Sequence, residues 1–162
     1  MAGINGLTVA FRASQNVRIY KFTALVKDDT DTTQNQQYAA LPAAANAPGV
    51  LGVLIEHFVE PNYFVPQSTN PATVTGTIPV LYNLVGRGIT LQVNGIGRCL
   101  AAGAVNQGDV LVVADNYGRV TNTAGAGIAA GGKVNAVGVA QNSTQNANDV
   151  VEVLLNFAQM VA

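Results

Sequence analysis

The stretch GDVLVVADNYGRVTNT, residues 108–123, reads as a strand, a tight turn and a second strand. Val110 to Val113 is apolar on both faces, so the strand it forms is covered on both sides. Asp115 suits the first position of a type I turn, and Gly118 the left-handed residue that follows it. Arg119, Thr121 and Thr123 alternate with Val120 and Asn122, which predicts a more exposed return strand.

The same grammar extends outward in both directions. Towards the C-terminus, VVEVLLNF (150–157) places Val151, Val153, Leu155 and Phe157 inward, with Glu152 and Asn156 outward. Towards the N-terminus, Ile89, Leu91 and Val93 oppose Thr90, Gln92 and Asn94 until Gly95 and Gly97 interrupt the period. VRIYKFTALVK (17–27) predicts a half-buried strand with Tyr20, Phe22, Ala24 and Val26 on one face. In VLGVLIEHFVE (50–60), Val53, Ile55, His57 and Val59 share a face. YAALPAAANAPG (38–49) predicts a short helical turn, limited by Pro42 and Pro48. PNYFVPQSTNPATVTG (61–76) carries three prolines, which argue against a central strand. NTAGAGIAAGGK (122–133) reads as a flexible Gly/Ala loop. No segment sustains a 3.6-residue period with caps. The fold class is therefore mainly β: a small β-barrel, or a β-tulip or sandwich-like domain, of many short strands. Residues 1–16 read as an extended N-terminal arm, and 17–162 as a single β-rich domain. ANAPGVLGVLIE and GGKVNAVGVAQN echo each other as a Gly/Ala-rich loop before an apolar-Gly-Val step. A composition this rich in Gly, Ala and Val produces such echoes by chance as well.

The 162 residues suffice for one domain with a real core. Only 10% are charged, with a formal net charge of -1, against roughly 25% charged in an ordinary domain. A surface so poor in charge is suited to being covered by other protein. No Lys/Arg cluster offers a footprint for nucleic acid or anionic lipid. No stretch reads as a secretory signal or a membrane helix. Cys99 is the single cysteine, so no internal disulfide is possible, and it reads as a small buried hydrophobe.

Catalytic groupings are not evident. His57 is the single histidine, and strand geometry points it away from Glu56 and Glu60. One His and one Cys cannot make a zinc site of three or four ligands. Ser14, Ser68 and Ser143 lie in polar loops and outside any nucleophile elbow. Asp28, Asp29 and Asp31 form a solvated cluster without the bidentate Glu that calcium needs. GAGIAA (125–130) matches the dinucleotide pattern formally, but a strand-like segment follows where a helix is required. No metal and no cofactor are expected, and the chain does not read as an enzyme. A hydrolase would have His57 as its general base, and His57→Ala would expose it.

RCLAAGAVNQGDVLVVADNYGRVTNT and AVGVAQNSTQNANDVVEVLLN together resemble the capsid decoration, or cement, proteins of tailed bacteriophages. The shared pattern is a small-residue segment (Ala101-Ala102-Gly103), Gly108-Asp109 opening a strand, and the turn Asp115 to Gly118. The step Val137 to Ala140 and the closing strand Val150 to Leu155 complete it. The resemblance covers roughly residues 85–157. It implies a virion protein, made in the host cytoplasm, that binds the outer surface of the expanded capsid and clamps adjacent capsomers. Homotrimers at three-fold or local three-fold positions, with the major capsid protein as partner, are implied with it. The expected contacts are Leu7, Val9, Phe11 and Arg12 of the arm, with Tyr63, Phe64 and Tyr82 on inter-strand loops. Each has local core packing as its alternative. The competing function is a virion- or cell-surface β-domain that binds a glycan or a host protein.

Overall fold

The computed structural model describes residues 6–28, 38–61, 63, 65, 78–79 and 82–162. The first five strands are β1 (Thr8–Ala13), β2 (Ala24–Lys27), β3 (Tyr38–Ala40), β4 (Val50–Leu54) and β5 (Gly88–Gln92). They close into a barrel in the order β1-β3-β2-β4-β5, which leaves no open sheet edge. The remaining strands are β6 (Ile96–Leu100), β7 (Val110–Val113), β8 (Val120–Asn122), β9 (Lys133–Ala140), β10 (Val150–Leu155) and β11 (Gln159–Val161). They form a sheet in the order β6-β10-β9-β7-β8, with β11 beside β9. A parallel bridge from Ala101 to Val120 joins the two ends of that sheet.

The two halves are the same structure twice. Going round from β6, the second order is β6-β8-β7-β9-β10, strand for strand the order of the barrel. Each half has one parallel contact, β1 with β3 and the Ala101–Val120 bridge. Each has one register shift in the same place, between Leu25 and Val26 and between Leu111 and Val112. The pairings Leu25 with Gly52 and Leu111 with Gly138 correspond. The isolated antiparallel bridges Ile19–Phe58 and Val105–Thr144 correspond too. The echo between residues 45–56 and 131–142 falls on β4 and β9, which are equivalent strands, with Gly52 matching Gly138.

Each repeat has its own interior. Phe11, Leu25, Leu54, Ile89 and Leu91 fill the first. Cys99, Leu111, Ala140, Val151 and Val153 are their equivalents in the second core. Both faces of Val110–Val113 are covered: Leu111 and Val113 join the second core, while Val112 belongs to a smaller cluster on the outside of the sheet.

Several expectations are corrected. Thr8–Ala13 is not part of an arm but a barrel strand. It pairs with five residues of β5 and also with β3, and it buries Phe11 and Ala13. Its alternation of Val9, Phe11 and Ala13 against Thr8, Ala10 and Arg12 is that of a half-buried strand. Residues 1–5 lie outside the described residues. No helix forms over residues 38–49, where β3, bends and a single turn at Ala45–Asn46 stand instead. The return strand β8 is buried, because Ala102 bonds to Val120 and the loop after it folds over Thr121. That loop closes on itself through the N–H groups of Ala126, Gly127 and Ile128.

The strand predicted for 17–27 breaks at Phe22, whose φ is 69°. Its N–H donates to the Leu54 carbonyl (2.6 Å), and its carbonyl accepts from Leu100 N–H (2.8 Å). Gly108, with φ of 90°, holds the equivalent position and donates to Ala140. A left-handed aromatic residue costs about 1–2 kcal/mol, and glycine does not pay it. Phe22→Gly is therefore expected to unfold within about 1 kcal/mol of the native chain, the relief of strain offsetting the added freedom of the unfolded state. Gly108→Ala is expected to cost about 1 kcal/mol or more. Paired thermal melts test this, and a Phe22→Gly loss as large as that of a buried aromatic would refute it.

Candidate functional site

The first repeat carries a cluster of charged and aromatic side chains where the chain leaves β4. Ile19 and Phe58 exchange backbone hydrogen bonds of 2.8 Å in both directions, which brings Arg18 beside Glu60. The Arg18 Nε donates to both Glu60 carboxylate oxygens (3.0 and 2.9 Å), and Nη2 donates to Oε1. Their side chains are only 8% and 4% exposed. The guanidinium carbon lies 3.9 Å from the centre of the Tyr63 ring, which covers the pair. The hydrogen bond from Arg18 holds the Glu60 carboxyl below its ordinary range, against the opposing effect of burial.

Next to this pair, Tyr20 packs edge-on against His57 with centroids 5.2 Å apart. His57 Nδ1 accepts the Lys21 N–H at 3.2 Å, a role that requires that nitrogen unprotonated. Burial first, and then the Lys21 charge, lower the His57 pKa and so favour that state. No serine completes a triad here among the described residues. Ser14 donates to the Ala39 carbonyl and Ser143 accepts from Gln107 N–H. Ser68 and the aspartates Asp29 and Asp31 lie outside the described residues. Among the described residues no group of three or more His, Cys, Asp and Glu side chains is placed to hold a metal ion. The backbone N–H groups of Gly125 to Ile128 in the GAGIAA segment are spent on its own turns, and no helix follows it. The cluster thus ties the start of the β4–β5 connection to the barrel.

The residues expected as contacts are dispersed. Leu7 is 57% exposed, and its backbone is held by Asn94 and Val93. Val9 is half-buried against the first core, and Phe11 is inside it, so Phe11 packs rather than presents. Arg12 is exposed and reaches the Gly86 carbonyl at 3.3 Å. Tyr63 is committed to Arg18. Tyr82 is half-buried, with its N–H on the Pro79 carbonyl. Phe64 lies outside the described residues. The outer face of β6 and β10, which exposes Ile96, Val150 and Leu154, was not singled out from sequence. Its signal was available in VVEVLLNF, where Val150 and Leu154 occupy the outward phase with Glu152.

A cleft of about 100 Å³ lies between the repeats, lined by Gly49, Val50, Asn135, Ala136 and Phe157 to Gln159. It is smaller than the ~300 Å³ or more of a typical ligand pocket. Asn135 donates from its side chain to the Asn46 carbonyl (2.7 Å), and among the described residues its buried Oδ1 has no donor.

Cys99 is fully buried in the second core, and burial pushes its thiol up to about 12. The thiolate is therefore scarce at neutral pH. An alkylating reagent is expected to leave the native protein unmodified and to add one group per chain in denaturant. Rapid labelling under native conditions would contradict the burial.

No protein-family model matches the sequence, and no curated protein matches it. The fold is similar to that in the crystal structure of the head fiber gp8.5 N base in bacteriophage phi29. The TM-score is 0.56 at 12% identity, over 96% of this chain and 100% of that one. At that identity the likeness is one of fold.

Proposed function

We propose that this chain is a structural protein of a bacteriophage virion, carried on the outer surface of the capsid. The observation that carries the reading is the likeness, over nearly the whole chain, to a phage head fiber base. The small-residue and turn pattern of residues 85–157, which resembles the decoration proteins, supports it independently. In its fuller form the reading is a cement protein that binds the major capsid protein as homotrimers at three-fold and local three-fold positions. Its role there is mechanical rather than catalytic. A protein that binds only the expanded shell stabilises that shell by mass action, and many copies on one lattice add their effects. A charged fraction of 10% suits a protein that is largely surrounded by protein.

Co-sedimentation of the purified protein with expanded and unexpanded shells of its own phage tests this. Saturable binding to expanded shells alone, at a stoichiometry matching three-fold positions, is the expected result. Absence of binding to both shells would overturn the reading, and a β-domain that recognises a glycan or host protein would take its place.

A further inference from the structure

The duplication makes an internal comparison possible, because the same outer face occurs twice in different surroundings. In the first repeat Ala24, Val26, Val50 and Val53 point out of the barrel and pack into the core of the second repeat. Their equivalents are Val110, Val112, Ala136 and Val139. Val112 and Ala136 are covered by Ala126, Ile128 and Met160. The loop after β8 and the strand β11 thus cap, in the second repeat, part of what a whole repeat covers in the first. Terminal units of repeat proteins carry such caps.

The cap is incomplete. Val110 and Val139 remain half-buried, and the apolar row they begin continues in register across the sheet. Val139 faces Leu154, and Leu154 faces Ile96. Leu154 is 47% exposed and Ile96 51%. The matching residues of the first repeat are Gln92 and Thr8, so the apolar character belongs to this end of the molecule. On the same face Arg98 and Glu152 stand directly opposite each other. Both are exposed, and neither enters an ion pair among the described residues.

We propose that the row Val110, Val139, Leu154 and Ile96, flanked by Arg98 and Glu152, is the surface on which a second copy of this chain docks, the same face meeting itself. In the first repeat the equivalents of Val110 and Val139, Ala24 and Val53, are covered by another unit of this fold, and Gln92, the equivalent of Leu154, is buried as well. The equivalents of Ile96, Arg98 and Glu152, which are Thr8, Ala10 and Thr90, are polar or small and stay exposed. A unit of this fold therefore fits the Val110–Val139 end, and the added apolar and charged residues extend that contact. The charges are self-complementary: rotation about a two-fold axis brings Arg98 against Glu152 of the second copy and the reverse, so this contact pairs two copies and is separate from the contact that would close a trimer. The inference rests on the preceding reading only in taking copies of the chain to associate, and it needs no shell.

Light scattering after size exclusion, with the full chain, tests it. The native chain is expected to elute as an oligomer, and Leu154→Glu at half its mass with an unchanged circular dichroism spectrum. Arg98→Glu carries two carboxylates on the face and Glu152→Arg two cations. Each is expected to self-associate about tenfold more weakly, or worse, through like-charge contact. An equimolar mixture of the two is expected to restore the native mass, an outcome that a folding defect in either variant would not produce. If all three variants keep the native oligomeric mass and the mixture shows no preference, the surface is wrong while self-association stands. If the native chain is monomeric at every concentration, this inference and the trimeric form of the preceding reading fall together. Shell binding, measured separately, would still stand or fall on its own result.

Discussion

Gly138→Ala is expected to cost more than about 3 kcal/mol and to leave most of the protein insoluble. A methyl group at Gly138 would lie 2.2 Å from the Leu154 carbonyl oxygen and 2.7 Å from a Val153 methyl. The oxygen is backbone, so no rotamer change relieves the overlap, and β9 must move away from β10. Overpacking that side chains absorb costs about 1–3 kcal/mol, and this one requires the ladder itself to yield. β9 is paired with β7, β10 and β11, so its displacement disturbs the whole second sheet. The equivalent change at Gly52 meets the Gln92 carbonyl oxygen at 2.7 Å and is expected to cost less. Gly103→Ala meets nothing within 4 Å and is expected to stay within about 0.5 kcal/mol of the native chain. Urea unfolding of the three variants gives the ranking. Equal stability of Gly138→Ala and Gly103→Ala would show that the strands are not packed this closely.

Removing one partner of the Arg18–Glu60 pair is the second large effect. Exposed ion pairs are worth about 0–1 kcal/mol, while breaking a deeply buried one costs about 3–5. The pair is largely but not fully withdrawn from water, with the Tyr63 ring over the guanidinium, so an intermediate loss of about 2–3 kcal/mol is expected for Arg18→Met or Glu60→Gln. For a chain of this length that lowers the melting temperature by roughly 5–10 °C. The pH dependence has a definite sign. The folded-state pKa of Glu60 is depressed, with the hydrogen bond from Arg18 as the first cause. Its contribution is therefore fully present above the unfolded carboxyl value of about 4.3 and lost as pH falls through the folded value. The stability gap between the native chain and Glu60→Gln should be wide at pH 7 and narrow progressively in acid. A gap independent of pH would mean that the carboxylate charge is not what holds the two segments together.

Strands with an unambiguous phase were legible in the sequence. Val110–Val113, covered on both faces, and the alternation from Val150 to Leu155 led directly to β7 and β10. Thr8–Ala13 carried the same alternation, but its Gly-, Asn- and Ser-rich flanks suggested an arm. Whether such a short strand is free or paired depends on β3 and β5, which lie far along the chain. The break at Phe22 was illegible because nothing local marks an aromatic residue as left-handed. The fold imposes it where β4 and β6 both need its backbone. The duplication showed only as an echo in one strand. Barrel strands demand little beyond apolar alternation, so the equivalent pairs Phe11 and Cys99, or Ile89 and Val151, share character without identity. The Arg18–Glu60 pair joins residues from two irregular segments, and no spacing rule connects them.

The two repeats differ most at one corner. Phe58 and Gly86 in the first are matched by Thr144 and Asn148 in the second, through the same bridge and the same backbone bonds to Ala13 and Ala101. Between these anchors the first repeat carries residues 59–85, and the second only 145–147. The same framework therefore closes around a long excursion as readily as around a short one. That makes the exposed tip Gln145–Ala147 a natural grafting point for a foreign peptide, with a host architecture that has already accommodated one at the matching place.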